Sequence, residues 1–106
     1  MWIFLPNSML SVVEKPNDRG TGMLTVRGRI KGDIEAVFPG AVIEADTGTD
    51  YRFRAKVPRE QVAKAMHEAV MNINYSNFKN AVKDSERHDA YMDVWDAMYR
   101  FQEQQR

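Results

Sequence analysis

The chain has 106 residues, of which 43% are hydrophobic and 28% are charged, and it contains no cysteine. This length and composition predict one globular domain over residues 1–106 and exclude a disordered chain. The missing cysteines exclude disulfides, thiolate zinc sites and a cysteine nucleophile. Because 15 basic residues balance 15 acidic ones, any nucleic-acid binding would depend on a local patch. No apolar run approaches the roughly 20 residues of a membrane span, and we expect a cytoplasmic protein.

Five short segments in the first half of the chain have the composition or the alternation of β-strands. They are Met1–Leu5, Met9–Lys15, Met23–Ile30, Ala41–Asp46 and Asp50–Val57. In the last of these, Tyr51, Phe53, Ala55 and Val57 are expected on one face and Arg52, Arg54 and Lys56 on the other. The segment "PNDRGTG" is predicted to be a turn, and the spacing of Ile34, Val37 and Phe38 predicts a short helix that Pro39 ends.

The second half of the chain is predicted to be helical. Pro58 suits the first turn of a helix that ends near Asn74. Its expected apolar face comprises Val62, Ala65, Met66, Ala69, Val70 and Ile73. A short helical turn follows, which Ser76 or Asn77 can cap and which carries Phe78, Ala81 and Val82. Asp84 or Ser85 can cap the last helix, whose apolar positions are Tyr91, Val94, Trp95, Met98 and Phe101.

This order of elements predicts an α+β domain with a four- to five-stranded, mostly antiparallel sheet and helices packed on one face. The strand–helix–strand–strand portion is partly ferredoxin-like. A right-handed crossover would place Met23–Ile30 parallel to Asp50–Val57 and would leave Ala41–Asp46 at an edge.

Four segments carry a resemblance to a known group of proteins: "MWIF", "DYRFRAKVPRE", "INYSNFKN" and "RHDAYMDVW". Together they resemble a family of small uncharacterised bacterial and phage proteins that share an opening Met-Trp-Ile-Phe, a Tyr-Pro-Asn-Phe-Lys-like segment and an Arg-His-x-x-Tyr-x-x-Val-Trp-like C-terminal helix. Here Ser76 stands where that family has proline. The resemblance implies one compact domain of bacterial or phage origin and implies no activity or site.

A polar cluster is predicted around the connection to the last helix. It comprises Tyr75, Asp84, Arg87, His88 and Tyr91. One interpretation is a histidine–carboxylate general base, in which Asp84 hydrogen-bonds His88. The other is packing between helices, and we favour it because no nucleophile motif accompanies the histidine. The second histidine, His67, is expected on the polar face of its helix, so we predict neither a metal site nor a cofactor.

Two further surfaces are candidates for binding. The first is a cation face, formed by outward-pointing Arg27, Arg29, Arg52, Arg54 and Lys56, which suits phosphates or carboxylates. Glu14, Glu44 and Asp46 are the residues expected to neutralise it if it is only a solvated face. The second is the aromatic stripe, formed by Trp95, Met98, Tyr99 and Phe101 on the last helix. It either packs against the domain's own sheet or lies exposed, where it would suit a protein partner or a second copy of the chain.

These features favour a small non-enzymatic binding protein. Its expected partner is a protein, and an accessory factor or an inhibitor of a host defence enzyme is the role suggested by analogy with bacterial and phage proteins of this size. Binding of an anionic small molecule or nucleic acid through the cation face is the first alternative, and a small enzyme that depends on His88 is the second. A homodimer is also expected.

Overall fold

The computed structural model describes residues 1–45 and 48–106, which form two compact units. The first unit, Met1–Ile73, contains all the described strands, two α-helices and a short 3-10 helix over Pro16–Asp18. The second unit, Asn74–Arg106, contains two helices. The prediction that residues 1–106 form a single domain stays a prediction.

The first unit is built on a five-stranded antiparallel sheet with the strand order β1–β2–β3–β5–β4. The strands are β1 (Trp2–Leu5), β2 (Ser8–Val13), β3 (Met23–Gly28), β4 (Glu44–Ala45) and β5 (Phe53–Pro58). Helix α1 (Asp33–Val37) lies between β3 and β4 in the chain, and helix α2 (Arg59–Met71) follows β5 directly. The predicted α+β class with an antiparallel sheet is confirmed.

The predicted parallel pairing of the third and fifth strands is wrong, because β3 and β5 are antiparallel neighbours. The helical crossover through α1 instead joins β3 to β4, and β5 lies between them. Since β3 and β4 both run antiparallel to β5, they are parallel to each other in a split β-α-β arrangement. The predicted edge position of the fourth strand is confirmed.

One face of this sheet, which we call the core face, buries the apolar side chains. Leu10, Val12, Leu24, Val26, Ala55 and Val57 contribute from the strands, and Ile34, Phe38 and Val62 contribute from α1, the residue after it and α2. The predicted packing of helices on one face is therefore confirmed for α1 and α2. Gly28 allows α1 this close approach, because a Cβ there would lie 3.3 Å from Ile34 Cγ1, closer than an ordinary van der Waals contact.

Four expectations about the first unit differ from the structure. β4 has only two described residues, and the predicted end of that strand, Asp46, lies outside the described residues. β5 begins at Phe53, so Tyr51 precedes it and does not belong to the core face. On α2, Val62 is buried as predicted, whereas Val70 is exposed. The helix ends at Met71, before the predicted end near Asn74, so the exposed Ile73 lies beyond it.

The second unit consists of α3 (Phe78–Ala81) and α4 (Ser85–Gln104). Both begin at predicted capping residues. The Asn77 side chain accepts a hydrogen bond from the Lys79 N–H, and the Asp84 carboxylate accepts one from the Arg87 N–H at 2.9 Å. No residue of α4 is buried, which bears on the aromatic stripe below. None of the helices in the described ranges is long and apolar enough to cross a membrane.

Candidate functional site

The register of β3 and β5 brings part of the predicted cation face together. Arg27 lies opposite Arg54, and Lys56 lies opposite Thr25, all on the sheet face away from the core, which we call the outer face. Like charges in direct opposition destabilise a sheet, so the surroundings of these side chains decide whether the face can stay cationic. Each of the five predicted cations contacts another side chain.

Tyr51 is the centre of the first set of contacts. Its ring is 5% exposed, and the guanidinium carbons of Arg27 and Arg29 lie 4.5 Å and 4.0 Å from its centroid. Such cation–π contacts stabilise guanidinium groups over an aromatic ring. Arg27 also donates to Ser11 Oγ at 2.8 Å. Burial leaves this ring unavailable for stacking on a base.

Arg29 is neutralised by a residue that the sequence patterns did not indicate. It donates two hydrogen bonds to the Asp50 carboxylate, at 3.1 and 3.0 Å. The hydrogen bond from Arg29 lowers the pKa of Asp50 and raises that of Arg29. Both side chains are exposed, so water screens the pair and its contribution to stability is small.

Lys56 belongs to a polar network with the buried residues Asp18 and Thr25. Its Nζ donates to Asp18 Oδ1 at 2.6 Å and to Thr25 Oγ1 at 2.7 Å, and Asn17 Oδ1 accepts a third bond at 3.3 Å. Asp18 Oδ2 accepts the Thr25 hydroxyl and the Lys15 N–H. Burial raises the pKa of Asp18, but these hydrogen bonds and the Lys56 charge outweigh it and lower the pKa to about 2. The Lys56 ammonium group therefore has no N–H left for another ligand.

The predicted neutralising residues are only partly the observed ones. Glu44 lies opposite Arg54 in the register, as expected. Glu14 pairs instead with Arg59, at 2.7 Å. It comes after the last residue of β2 and therefore lies beyond the strand that was expected to carry it. Arg54 donates to Thr49 Oγ1 at 2.5 Å. Arg52 precedes β5, and its guanidinium carbon lies 5.5 Å from the Phe53 ring centroid.

The predicted polar cluster forms a packed aromatic row within the second unit. The rings of Tyr75 and Phe78 meet edge to face at 5.9 Å, and Phe78 stacks on Tyr91 at 5.8 Å. Arg87 donates to the Tyr91 hydroxyl at 3.3 Å. These contacts have the geometry of packing between α3 and the first turns of α4.

The surroundings of the two histidines do not match a histidine–carboxylate base. The general-base interpretation requires a hydrogen bond between Asp84 and His88. The Asp84 carboxylate instead accepts from the Arg87 N–H and caps α4, and His88 Nδ1 lies 3.5 Å from Asp89 Oδ1. His67 is exposed on α2, as predicted. In residues 1–45 and 48–106, no group of three or more metal-binding side chains lies close enough together to hold an ion.

The aromatic stripe is exposed along the second half of α4. Trp95 is 57% exposed, Met98 58%, Tyr99 46% and Phe101 53%. The Trp95 and Tyr99 rings, one helical turn apart, stack almost parallel with centroids 5.4 Å apart. The stacking joins two of these side chains into a continuous apolar surface on a regular helix.

Comparisons with known proteins identified no related protein. A scan against protein families, a search of curated proteins and a search of solved structures each found no match.

Proposed function

We propose that this chain is a non-enzymatic binding protein and that the aromatic stripe of α4 is its contact surface for a partner protein. The single observation that supports this most strongly is the exposure of Trp95, Met98, Tyr99 and Phe101 on one regular helix. Aromatic and methionine side chains are enriched at protein interfaces, whereas an ordinary helix facing water has polar residues at such positions.

The size of the stripe supports a binding role. An aromatic side chain has about 150–250 Å² to bury, so half-exposure of each member leaves about 100 Å² and the four together about 400 Å². Contiguous apolar patches of a few hundred Å² on a protein are often functional. The roles we propose for such a protein are an accessory factor or an inhibitor of a host enzyme, in keeping with the bacterial or phage family that the sequence resembles.

A second copy of the chain is another occupant with the right chemistry. Two stripes face to face would bury about 800 Å² of apolar surface, and a polar rim would bring the total near the roughly 1,000 Å² of a stable interface. We therefore also propose a homodimer through α4.

The alternative of an anionic ligand has less support. Arg29 and Lys56 already contact carboxylates, and the Lys56 ammonium group donates all three of its N–H groups. If the cation face were the binding surface, affinity would fall steeply with salt, whereas contact through an apolar stripe would tolerate salt.

Affinity capture from bacterial lysate with matched variants tests this proposal. We expect the wild-type chain to retain a specific protein in roughly 0.5 M salt, where exposed charges are largely screened. The Arg52→Glu/Arg54→Glu variant should also retain that protein, whereas the Trp95→Ala/Met98→Ala variant should lose it. Asp93→Ala, an exposed polar change on the same helix, is the control and should retain it. Circular dichroism checks that every variant keeps its helices. Loss in the arginine variant alone would contradict the proposal and favour an anionic partner.

A further inference from the structure

A second feature, independent of the aromatic stripe, is the outer edge of β5. β4 covers this edge only at Phe53 and Arg54. The residues that precede Glu44 in the chain do not pair with β5. One of them, Val42, is 82% exposed. Lys56, Val57 and Pro58 therefore form a stretch of strand edge without a neighbouring strand in the described part of the chain.

The hydrogen-bond alternation shows which main-chain groups face this gap. The Arg59 N–H donates to the Gly22 carbonyl at 2.8 Å, so Arg59 and every second residue before it bond toward β3. Lys56 has the opposite parity, and its N–H and C=O point to the outer side. Neither group has a hydrogen-bond partner within residues 1–45 and 48–106. Pro58 has no N–H, which limits the edge to one donor.

A groove with a volume of about 600 Å³ lies along this edge on the core-face side. Its walls are mixed: Phe38, Ala41, Val42 and Val57 contribute apolar surface, and Glu44, Lys56 and Gln61 contribute polar surface. An extended peptide that pairs with Lys56 would turn the side chains next to the paired residue into this groove, because successive side chains of a strand alternate between faces.

A smaller cavity of about 210 Å³ lies on the outer-face side of the same edge. Its lining includes the cations Lys15, Arg54 and Lys56 together with Asn17, Thr25 and the carboxylate of Glu44. The residue paired with Lys56 would direct its side chain to this face. Lys15 and Arg54 suit an acidic side chain there, since charge-assisted hydrogen bonds to a carboxylate are the strong ones.

We propose that the β5 edge binds an extended segment of a partner protein in which an acidic residue is flanked by two apolar residues. The acidic residue exchanges both main-chain hydrogen bonds with Lys56 and enters the cationic cavity, while its neighbours enter the groove and pack against its apolar side chains. This is strand addition, a recurring mode of peptide recognition. A second copy of β5 fits less well, because a symmetric pairing at Lys56 would oppose two lysines.

The test uses labelled capped peptides and fluorescence anisotropy. The probe is acetyl-Thr-Val-Asp-Val-Thr-amide, compared with the same peptide carrying Asn for Asp and with one N-methylated at the Asp nitrogen. We expect at least tenfold weaker binding for each, because the first lacks the charge and the second blocks a main-chain donor. Equal binding of the three peptides, or no binding of the probe at millimolar concentration, would overturn the proposal.

Protein variants locate the site without disturbing α4. Gln61→Trp fills the groove from the exposed start of α2 and should abolish probe binding. Ala63→Trp, also exposed on α2 but outside the groove lining, should leave it unchanged. Lys15→Gln should weaken the Asp probe and leave the Asn peptide unaffected. Retained binding in Gln61→Trp would overturn the proposal, whereas Trp95→Ala/Met98→Ala should bind the probe normally whether or not the stripe has a partner.

Discussion

Replacement of Asp18 by asparagine is expected to destabilise the first unit through a single buried charge. The Asp18 side chain is 2% exposed and lies 2.6 Å from Lys56 Nζ. The asparagine side chain can still accept from Thr25 and Lys15 through its one oxygen. Its amide nitrogen, however, would face the Lys56 ammonium with donor against donor. The substitution therefore removes the charge while largely keeping the shape of the network.

The magnitude follows from the pKa of Asp18, which is lowered from 3.8 to about 2 in the folded protein. Each pKa unit corresponds to about 1.36 kcal/mol, so the carboxylate contributes about 2 kcal/mol at pH 7. Because the folded pKa lies below the unfolded one, this stability is present above about pH 4 and is lost as the pH falls toward 2. At pH 3 about half of it remains.

Urea unfolding of both proteins between pH 7 and pH 3 measures this contribution. We expect Asp18→Asn to be about 2 kcal/mol less stable at pH 7, with the gap narrowing by about 1 kcal/mol at pH 3. A double-mutant cycle with Lys56→Met should show that the two changes are not additive. A gap below about 0.5 kcal/mol at pH 7, the size of an ordinary surface substitution, or a gap that is the same at both pH values, would refute the charge-based account.

Three further outcomes are expected. Tyr51→Ala should lower the free energy of unfolding by about 3–5 kcal/mol, the cost of deleting a buried aromatic ring, while Tyr51→Phe should change it little; a loss below about 1 kcal/mol for Tyr51→Ala would show that the ring is not a structural centre. Gly28→Ala should destabilise by about 1 kcal/mol in urea, because crowding against Ile34 exceeds the entropic gain, whereas Gly40→Ala, with nothing within 4 Å of its added Cβ, should not. Light scattering at high concentration should give twice the 12.3 kDa chain mass, falling to the monomer in Trp95→Ala/Met98→Ala; a wild-type monomer would contradict the dimer.

Local sequence patterns correctly predicted the strands whose apolar alternation matches their buried face and the helices that begin at a capping side chain. The alternation in β3 and β5 follows from one buried face, and the caps of α3 and α4 follow from side chains that serve the nearest backbone. Because these patterns involve residues close together in the chain, the elements can be predicted without knowledge of the tertiary structure. Helical spacing likewise placed Trp95, Met98 and Phe101 on one side of the last helix, whereas Tyr99 falls outside that spacing.

The features that the sequence did not predict depend on contacts between residues far apart in the chain. Asp18 lies in a predicted turn, and nothing nearby indicates that it meets Lys56, 38 residues later. Tyr51 continues the alternation of β5, yet the strand starts two residues after it, and the ring lies against Arg27 and Arg29 instead. Helical spacing on α4 likewise indicates an apolar side without showing whether anything covers it.

Oxidative footprinting of the methionines tests most directly whether a protein covers the aromatic stripe. In the purified chain at low concentration, Met98 and Met71 should oxidise at similar rates, since they are 58% and 69% exposed. After expression in bacteria and oxidation in the lysate, mass spectrometry should find Met98 protected at least severalfold relative to Met71 and Met1. Oxidation of Met98 at the same rate relative to those two methionines in both settings would contradict the proposal that a protein covers the stripe.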